Sequence, residues 1–210
     1  MAIEKGDSLS GCIGGVIHYV WKGRKCRRIR PAHVRNPKTA AQTRHRDKIR
    51  IGGKFLRTLS QFIQVGYQET SKDTKANEAM SYLVKNCFIE ENGKAKLDYS
   101  KFPISRGEMM APADCNMTIT GNKAEITWEY ERTWYSKADD KLMIAIHVED
   151  GDSSYTQMLN NAAYREACRT EFPIPITEKP VHLWLFFHNS DNQVGESRRN
   201  ISDSVYFRIQ

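Results

Sequence analysis

Alternating apolar residues in the second half of the chain constrain its fold more strongly than any other feature. From about residue 113 the hydrophobic pattern takes a period of two, and in KAEITWEYE the apolar face is formed by Ala124, Ile126, Trp128 and Tyr130. Such alternation is typical of an antiparallel strand with one buried face. KLMIAIHV and VHLWLFFH predict two more deeply buried strands, and SVYFRI predicts a closing strand.

These four strands predict an antiparallel β-sandwich over residues 113–210. Turn-rich spacers separate the strands, and Gly121-Asn122 is a turn signal just before the first of them. Short alternating strands joined by turns are typical of the immunoglobulin and fibronectin type III sandwiches. We therefore expect a sandwich of that general kind.

Residues 37–112 predict a helical region with short extended segments. Thr39 and Gln42 have the spacing of a capping box, so a helix is expected to begin there and to run to about Gly66. Its first half is mostly charged, whereas its second half carries apolar residues at helical spacing. One end of this helix is therefore expected to pack on a core while the other stays exposed.

A glycine pair and a second helix complete the helical region. Gly52-Gly53 separates the two halves of the first helix and indicates either a bend or a close packing contact. Apolar residues at helical spacing predict the second helix over about residues 75–88.

Residues 1–36 predict a basic hairpin followed by an extended arm. In VIHYVWKGRKCRRIRP two extended segments flank Gly23, which supplies the positive φ that a tight reversal often needs. Basic residues fall on both faces of the returning strand, which argues against burial. Pro31 and Pro37 then keep the backbone extended. The whole chain is expected to be an α+β protein with a basic N-terminal hairpin and arm, two helices and a C-terminal antiparallel β-sandwich.

Positive charge is concentrated between residues 22 and 50. This stretch holds twelve Lys and Arg residues against Asp47 alone, whereas the whole chain has a net charge of +7, so the rest is mildly acidic. Because a local cluster sets a local potential, this stretch is the candidate binding surface. The candidate binding residues are Arg24, Lys25, Arg27, Arg28, Arg30, Arg35, Lys38, Arg44, Arg46, Lys48 and Arg50.

Three interpretations of the basic stretch are open. It docks the chain onto a protein partner or another copy in a larger assembly, it clamps the phosphates of a nucleic acid, or it is a solvated charged face. We expect the docking role, with nucleic-acid binding as the alternative. The residues that would serve that alternative are the phosphate clamps Arg24, Arg27, Arg28, Arg30, Arg44 and Arg46, with Tyr19 and Trp21 as stacking platforms or as core anchors.

The sequence carries no enzymatic signature. There is no GxSxG elbow, and the glycine-rich SGCIGG lacks the Lys-Ser/Thr of a phosphate-binding loop. His147, His182 and His188 lie on candidate strands at a spacing that does not favour a metal site, and Asp139-Asp140 indicates a turn. We expect a non-enzymatic protein with no catalytic residue, no cofactor and no metal.

The cysteines and the N-terminus indicate a compartment. The five cysteines are scattered and form no CxxC pair, which favours reduced thiols over a zinc site or a disulfide framework. The first residues lack the apolar core of a signal peptide, and no apolar run has the length of a membrane span. A cytoplasmic protein without membrane contact is expected.

Several motifs follow one another in order along the whole chain. They are VWKG, the basic strand that ends in RP, NPKTAAQTRHR, NEAMSYLVKN, LDYSKFPISRGEM, ITWEYE and VHLWLFF. This series resembles a family of uncharacterised bacterial proteins of about this length, which has an N-P-x-T-x-x-Q-x-x-x-R pattern and no assigned function.

The resemblance implies a set of shared positions. They are Gly23, Arg30, Pro31, Asn36, Pro37, Thr39, Gln42 and Arg46. None corresponds to a known catalytic residue, and a turn, a rigid extended link and a helix cap account for several of them. A similar N-P-x-T-x-x-Q signature occurs in small proteins of phage structural modules, which fits an assembly of the phage or mobile-element kind. The chain departs from the family in being unusually basic at residues 24–30.

Overall fold

The protein is an α+β molecule that forms two compact units, Met1–Ala40 and Ala41–Gln210. The computed structural model describes residues 3–5, 8–21, 23–33, 36–68, 74–91, 93–189 and 200–209. In these residues the strands form four sheets, and all pairings between the strands are antiparallel. The three segments that the sequence predicts, 1–36, 37–112 and 113–210, differ in their type of secondary structure. The two units are instead defined by which residues contact one another.

The first unit contains a four-stranded meander. Its strands are β1 (Ile3–Lys5), β2 (Ser8–Ile13), β3 (Val16–Trp21) and β4 (Arg24–Ile29), and they pair in that order. The hairpin expected from the sequence is β3–β4, and Gly23 turns it with φ of 76°. Strands β1 and β2 were not expected, because SLSGCI has neither the β-branched content nor the alternation that marks β3.

The second unit begins with three helices. They are α1 (Ala40–Thr58), α2 (Ser60–Gly66) and α3 (Lys75–Asn86). Helix α1 starts directly after Thr39, where the capping box places it, and α3 is capped by the Thr74 hydroxyl, which accepts a bond from the Asn77 N–H at 3.3 Å. Among the described residues, no helix is both long enough and apolar enough to cross a membrane.

The first predicted helix is interrupted at Leu59 instead of running unbroken to Gly66. The Thr58 hydroxyl donates to the Phe55 carbonyl at 2.8 Å, and such a bond to the preceding turn competes with regular helix geometry. Leu59 departs from helical geometry, with φ of −101° and ψ of 9°, and its side chain is fully buried. The break therefore redirects the chain and lets α2 bury Phe62 and Ile63 in the same core.

Gly52 in the middle of α1 is a close packing contact. A Cβ atom at this position would lie 2.7 Å from Leu83 Cδ2 and 3.3 Å from Met80 Sδ, both on α3. A Cβ at Gly53 would meet only Met80 Cε, at 3.8 Å. Of the two outcomes expected for the glycine pair, close approach is therefore the observed one, and Gly52 provides it.

Ala substitutions at the two glycines are expected to differ in sign. Gly53→Ala should stabilise the protein by up to about 1 kcal/mol, because Ala favours a helix over Gly. Gly52→Ala gains the same propensity but forces Leu83 and Met80 to move, and overpacking of a core costs about 1–3 kcal/mol. Urea unfolding of both variants should place Gly52→Ala below Gly53→Ala by about 1–2 kcal/mol. Equal stabilities would contradict the close approach.

A hairpin and a short turn connect the helices to the sandwich. The hairpin consists of β5 (Phe88–Glu91) and β6 (Lys94–Leu97), and a single 3₁₀ turn follows at Tyr99–Lys101. The N–H of Ser100 and its hydroxyl both donate to the Asp98 carboxylate, which caps this turn. The turn sets Tyr99 against the sheet described next.

The C-terminal strands form a β-sandwich, as the alternating pattern predicts. They are β7 (Ala113–Thr120), β8 (Lys123–Glu129), β9 (Lys141–Val148), β10 (Tyr155–Leu159), β11 (Arg169–Pro173), β12 (Val181–His188) and β13 (Val205–Ile209). One sheet has the order β7-β8-β11 and the other β10-β9-β12-β13. A constant-type immunoglobulin sandwich instead has four strands in the sheet that contains its first two strands and three strands in the other sheet.

The four-stranded sheet is the middle of three layers. One face of β12 packs Leu183, Leu185 and Phe187 against the three-stranded sheet, in one core with Ile126 and Trp128 of β8. The opposite face packs in a second core with the three helices. Burial on both faces explains why VHLWLFFH is apolar throughout its interior.

Candidate functional site

The basic strand β4 presents one face that combines arginine with aromatic residues. Residues opposite each other in an antiparallel pair share a face, and the register sets Trp21 opposite Arg24, Tyr19 opposite Cys26, and Ile17 opposite Arg28. Trp21 is 57% exposed, and Arg24 and Arg28 are exposed as well. Trp21 and Tyr19 are therefore not buried anchors of the hairpin, which was one of their two expected roles.

The other face of β4 is also exposed. Here His18 is opposite Arg27, Val20 is opposite Lys25, and Ile29 is 82% exposed at the end of the strand. Strand β4 is at the edge of its sheet, and charged residues on an edge strand also hinder unwanted pairing with other strands. The absence of burial expected from the sequence is thus observed on both faces of this strand.

The remaining predicted residues of the arm lie along the link to α1. The Arg30 N–H donates to the Gly15 carbonyl at 2.7 Å, which continues the sheet pairing, and the Arg30 side chain is exposed. Lys38 is exposed in a left-handed conformation with φ of 50°. Arg35 lies outside the described residues. The other link positions, all exposed, are Pro31, Asn36, Pro37, Thr39 and Gln42, the last within the first turn of α1.

The basic half of α1 is mostly exposed, and two of its cations make contacts within their own unit. Lys48 is half-buried, with its Nζ 5.7 Å from the centre of the Phe88 ring. Arg50 binds Asp47 at 3.2 Å, one turn away on the same helix. Arg44 and Arg46 are exposed. The structure therefore assigns Lys48 and Arg50 contacts within their own unit.

The predicted residues fall into two groups. Those from Arg24 to Lys38 belong to the first unit, and those from Arg44 to Arg50 belong to the second. Within the first group, the sheet brings Arg24, Arg28 and Trp21 onto one face, which is the densest combination of charge and aromatic surface among the predicted residues. We call the sheet β1–β4 with its link, residues 3–39, the basic arm.

Sequence reasoning missed a polar cluster on the helix-facing side of the sandwich. His182 is the register partner of His147, and the Tyr99 ring stacks on His182 with centroids 4.0 Å apart. His182 contacts the Tyr206 hydroxyl through Nδ1 at 2.8 Å and the Glu149 carboxylate through Nε2 at 3.3 Å. Among the described residues, no three His, Cys, Asp or Glu side chains are arranged to hold a metal ion.

Hydrogen bonds fix the tautomer of His147. The Thr156 hydroxyl donates to the Thr58 hydroxyl at 3.0 Å, so it accepts from His147, whose Nδ1 lies 2.9 Å away. Nδ1 therefore carries the proton, and the buried Nε2 has no hydrogen-bond partner. Burial, together with a smaller contribution from the neighbouring His182, lowers the pKa of His147 to about 4.

A cleft opens beside this cluster. Its volume is about 470 Å³, and its walls include Tyr99, His147 and the second half of α1. Lys54 of α1 binds Asp152 at the cleft with a distance of 2.5 Å. The strand pattern and the histidine spacing gave no sign of this cleft, because Tyr99 and Asp152 come from loops whose positions depend on the packed helices.

A buried ion pair at one end of the sandwich was also missed. Arg165 Nε binds Asp140 Oδ2 at 2.9 Å, its Nη2 donates to the Met110 carbonyl at 2.8 Å, and the guanidinium lies 3.8 Å from the centre of the Phe187 ring. The expected turn at Asp139-Asp140 is present, but Asp140 is fully buried. The pair ties the loops after β8 and β10 together.

Similarity to known proteins identifies a family. Among solved structures, the chain is similar to the FN1–FN3 domains of chicken CNTN1, with 12% sequence identity and a TM-score of 0.31, over 50% of this chain and 33% of that chain. No curated protein matches the sequence significantly. A family model matches residues 8–207 and confirms the resemblance to an uncharacterised family that the motifs indicate. The chain belongs to DUF6266, a family of unknown function.

Proposed function

We propose that the protein is a non-enzymatic interaction protein that docks through its basic arm into a larger assembly. The observation that carries this proposal is the exposure of strand β4 on both of its faces, with Trp21 of β3 next to Arg24 on one of them. The partner is a protein surface of acidic character or another copy of the chain.

In the described part of the arm, no side chain is fully buried. A small sheet gains stability by burying one face, whereas β4 is exposed on both faces and Val16, Ile17 and His18 of β3 are only half-buried. Trp, Tyr and Arg are the residues most enriched among the strongest contributors to protein interfaces. This face therefore has the composition of a protein interface, with Trp21 and Tyr19 beside two arginines. A partner bound there would bury the face that the sheet leaves exposed.

The test compares three forms of the full chain, purified at low salt from the cells that express it. The arm variant carries Arg27→Glu, Arg28→Glu and Arg30→Glu, and a control of equal charge change carries Lys85→Glu, Lys94→Glu and Arg169→Glu, all exposed on the second unit. The wild type and the control should self-associate or co-purify with a partner, and the arm variant should lose this association by a factor of about 100. A monodisperse, partnerless wild-type monomer would rule the proposal out.

The alternative is a nucleic-acid-binding arm, and the same face favours it. Aromatic residues interleaved with Arg are suited to stacking bases and contacting phosphates of a single strand. Fluorescence anisotropy of labelled single- and double-stranded oligonucleotides, titrated across a salt series, separates the two roles. Binding that survives about 150 mM salt and disappears in the arm variant would promote the alternative. Binding at low salt only, or none, would leave the arm as a protein-docking surface.

We also infer a cytoplasmic location. The support is that the structure holds Cys12, Cys26, Cys87, Cys115 and Cys168 as free thiols. Non-reducing electrophoresis of the protein taken directly from cells tests this inference. Intermolecular or intramolecular disulfides in freshly alkylated material would contradict it.

A further inference from the structure

The two most exposed large apolar side chains in the described part of the second unit lie at opposite ends of the sandwich. Trp134, between β8 and β9, is 90% exposed, and Ile176, between β11 and β12, is 89% exposed. Strand β11 runs antiparallel to β8, and the register places Pro173 beside Lys123 at the start of β8. Because Trp134 follows the end of β8 and Ile176 follows Pro173, the length of the strand separates them.

Trp134 is held on a tight turn. The backbones of Thr133 and Ser136 bond to each other in both directions, at 3.2 Å and 3.4 Å, so Trp134 and Tyr135 occupy the tip. The Tyr135 carbonyl accepts from the Met110 N–H at 2.9 Å, which anchors the turn to a neighbouring segment. A Trp presented on a fixed backbone loses little conformational entropy when it is covered, and such rigid aromatics are effective binding anchors.

A shallow depression with two cations adjoins this Trp. Its volume is about 660 Å³, and its wall includes Trp134, the cations Arg132 and Lys137, and one carboxylate, Asp139. Both cationic side chains are exposed. We call residues 131–139 the Trp134 turn; the cations Arg132 and Lys137 lie two and three positions from the Trp, and the acids Glu131 and Asp139 lie at the two ends of the turn.

The segment at the other end has complementary chemistry. Residues 173–180, here called the Ile176 segment, contain three prolines. Because proline fixes φ, an extended segment of this kind loses little conformational entropy when it binds. Glu178 lies two positions after Ile176, and the following Lys179 is engaged with Asp150 at 3.1 Å. The segment therefore offers an exposed apolar residue with an exposed acid close to it. Aromatic surfaces commonly bind such proline-bearing extended chains.

We propose that the Ile176 segment of one copy docks against the Trp134 turn of the next copy. Ile176 covers the Trp134 ring, and Glu178 of the same segment faces Arg132 and Lys137. The two surfaces differ and lie at opposite ends, so the contact is heterologous and adds copies head to tail instead of closing a dimer. This contact does not involve the basic arm and does not depend on the role proposed for it.

The test is sedimentation velocity of the full-length chain over a concentration series up to about 200 µM, a range that suits a weak interface. The buffer contains about 500 mM NaCl, at which the Debye length is shorter than 10 Å, so that charge-driven contacts of the arm are screened. The wild type should grow in average mass with concentration. Trp134→Ala and Ile176→Asp should each remain monomeric, with association weakened by a factor of about 30 or more.

An equimolar mixture of the two variants gives the sharpest result. Trp134→Ala keeps a working Ile176 segment and Ile176→Asp keeps a working Trp134 turn, so the mixture should form a one-to-one dimer that cannot extend. Ile29→Asp, at an equally exposed isoleucine of the arm, should behave like the wild type. The proposal is overturned if the wild type stays monomeric, if either single variant extends, or if the mixture stays monomeric. None of these outcomes bears on the arm, which is tested at low salt.

Discussion

Replacing Arg165 by Met is expected to lower the free energy of unfolding by about 3–5 kcal/mol, the usual cost of removing one partner of a buried ion pair. Asp140 would be left in the interior without its cation, and its Oδ1 already has no hydrogen-bond partner in the structure. The Met110 carbonyl would also lose the donor it receives from Arg165. Thermal unfolding should shift down by roughly 10 °C for a chain of this size.

Two further variants distinguish the cost of leaving a buried charge unpaired from the cost of losing side-chain contacts. Lys123→Met removes an exposed pair with Glu171, and such pairs contribute at most about 1 kcal/mol. The double variant Arg165→Met with Asp140→Asn removes both charges and should recover part of the lost stability, because no buried ion is left unpaired. If Arg165→Met proved no worse than Lys123→Met, the pair would not be buried as the structure shows.

The stability of the protein is expected to fall as the pH is lowered from about 6.5 to 4. The pKa of His147 is about 4 in the folded protein, whereas an unfolded His has a pKa of about 6.5, so between these values the unfolded state binds the extra proton. The neutral ring therefore contributes stability that is present above pH 6.5 and is lost as the pH falls to 4. The difference corresponds to about 3 kcal/mol.

Urea unfolding at a series of pH values measures this loss. His147→Gln should flatten the dependence of the free energy of unfolding on pH by about that amount, whereas His45→Gln on the exposed half of α1 is the matched control. His182 and His188 are also buried, and burial lowers the pKa of each, so part of the dependence should persist in the His147 variant. An unchanged pH profile in that variant would show that His147 is accessible to protons in the folded state.

The sandwich was predictable because the hydrophobic pattern of each strand is visible in its own local sequence. The alternation in β8 identifies its buried face, which carries Ile126 and Trp128. The continuous apolar run in β12 identifies a strand that is covered on both faces. The interruption at Leu59 was not predictable, since it depends on a single hydroxyl bond from Thr58. Strands β1 and β2 were missed because their residues have little intrinsic preference for a strand.

The positive charge of the candidate site was predictable from the sequence, whereas most contacts of its side chains were not. Exposure of Arg24 and Arg28 followed from basic residues on both faces of β4. The pairing of Arg50 with Asp47 had a readable signal, a spacing of three on a helix, whereas the contact of Lys48 with Phe88 had none. Arg165 could not be told from a surface arginine, because its partner Asp140 is distant in sequence and its burial depends on packed loops.

Gradient sedimentation of the chain in a dilute, low-salt lysate, with and without nuclease, tests the role of the basic arm most directly. The wild type and the variant with Lys85, Lys94 and Arg169 reversed should migrate well above a monomer of 24.2 kDa in both lysates. The variant with Arg27, Arg28 and Arg30 reversed should migrate as a monomer. Migration of the wild type as a monomer, or of all three forms in one complex, would contradict docking through the arm, and a complex that nuclease dissolves would point to nucleic acid instead.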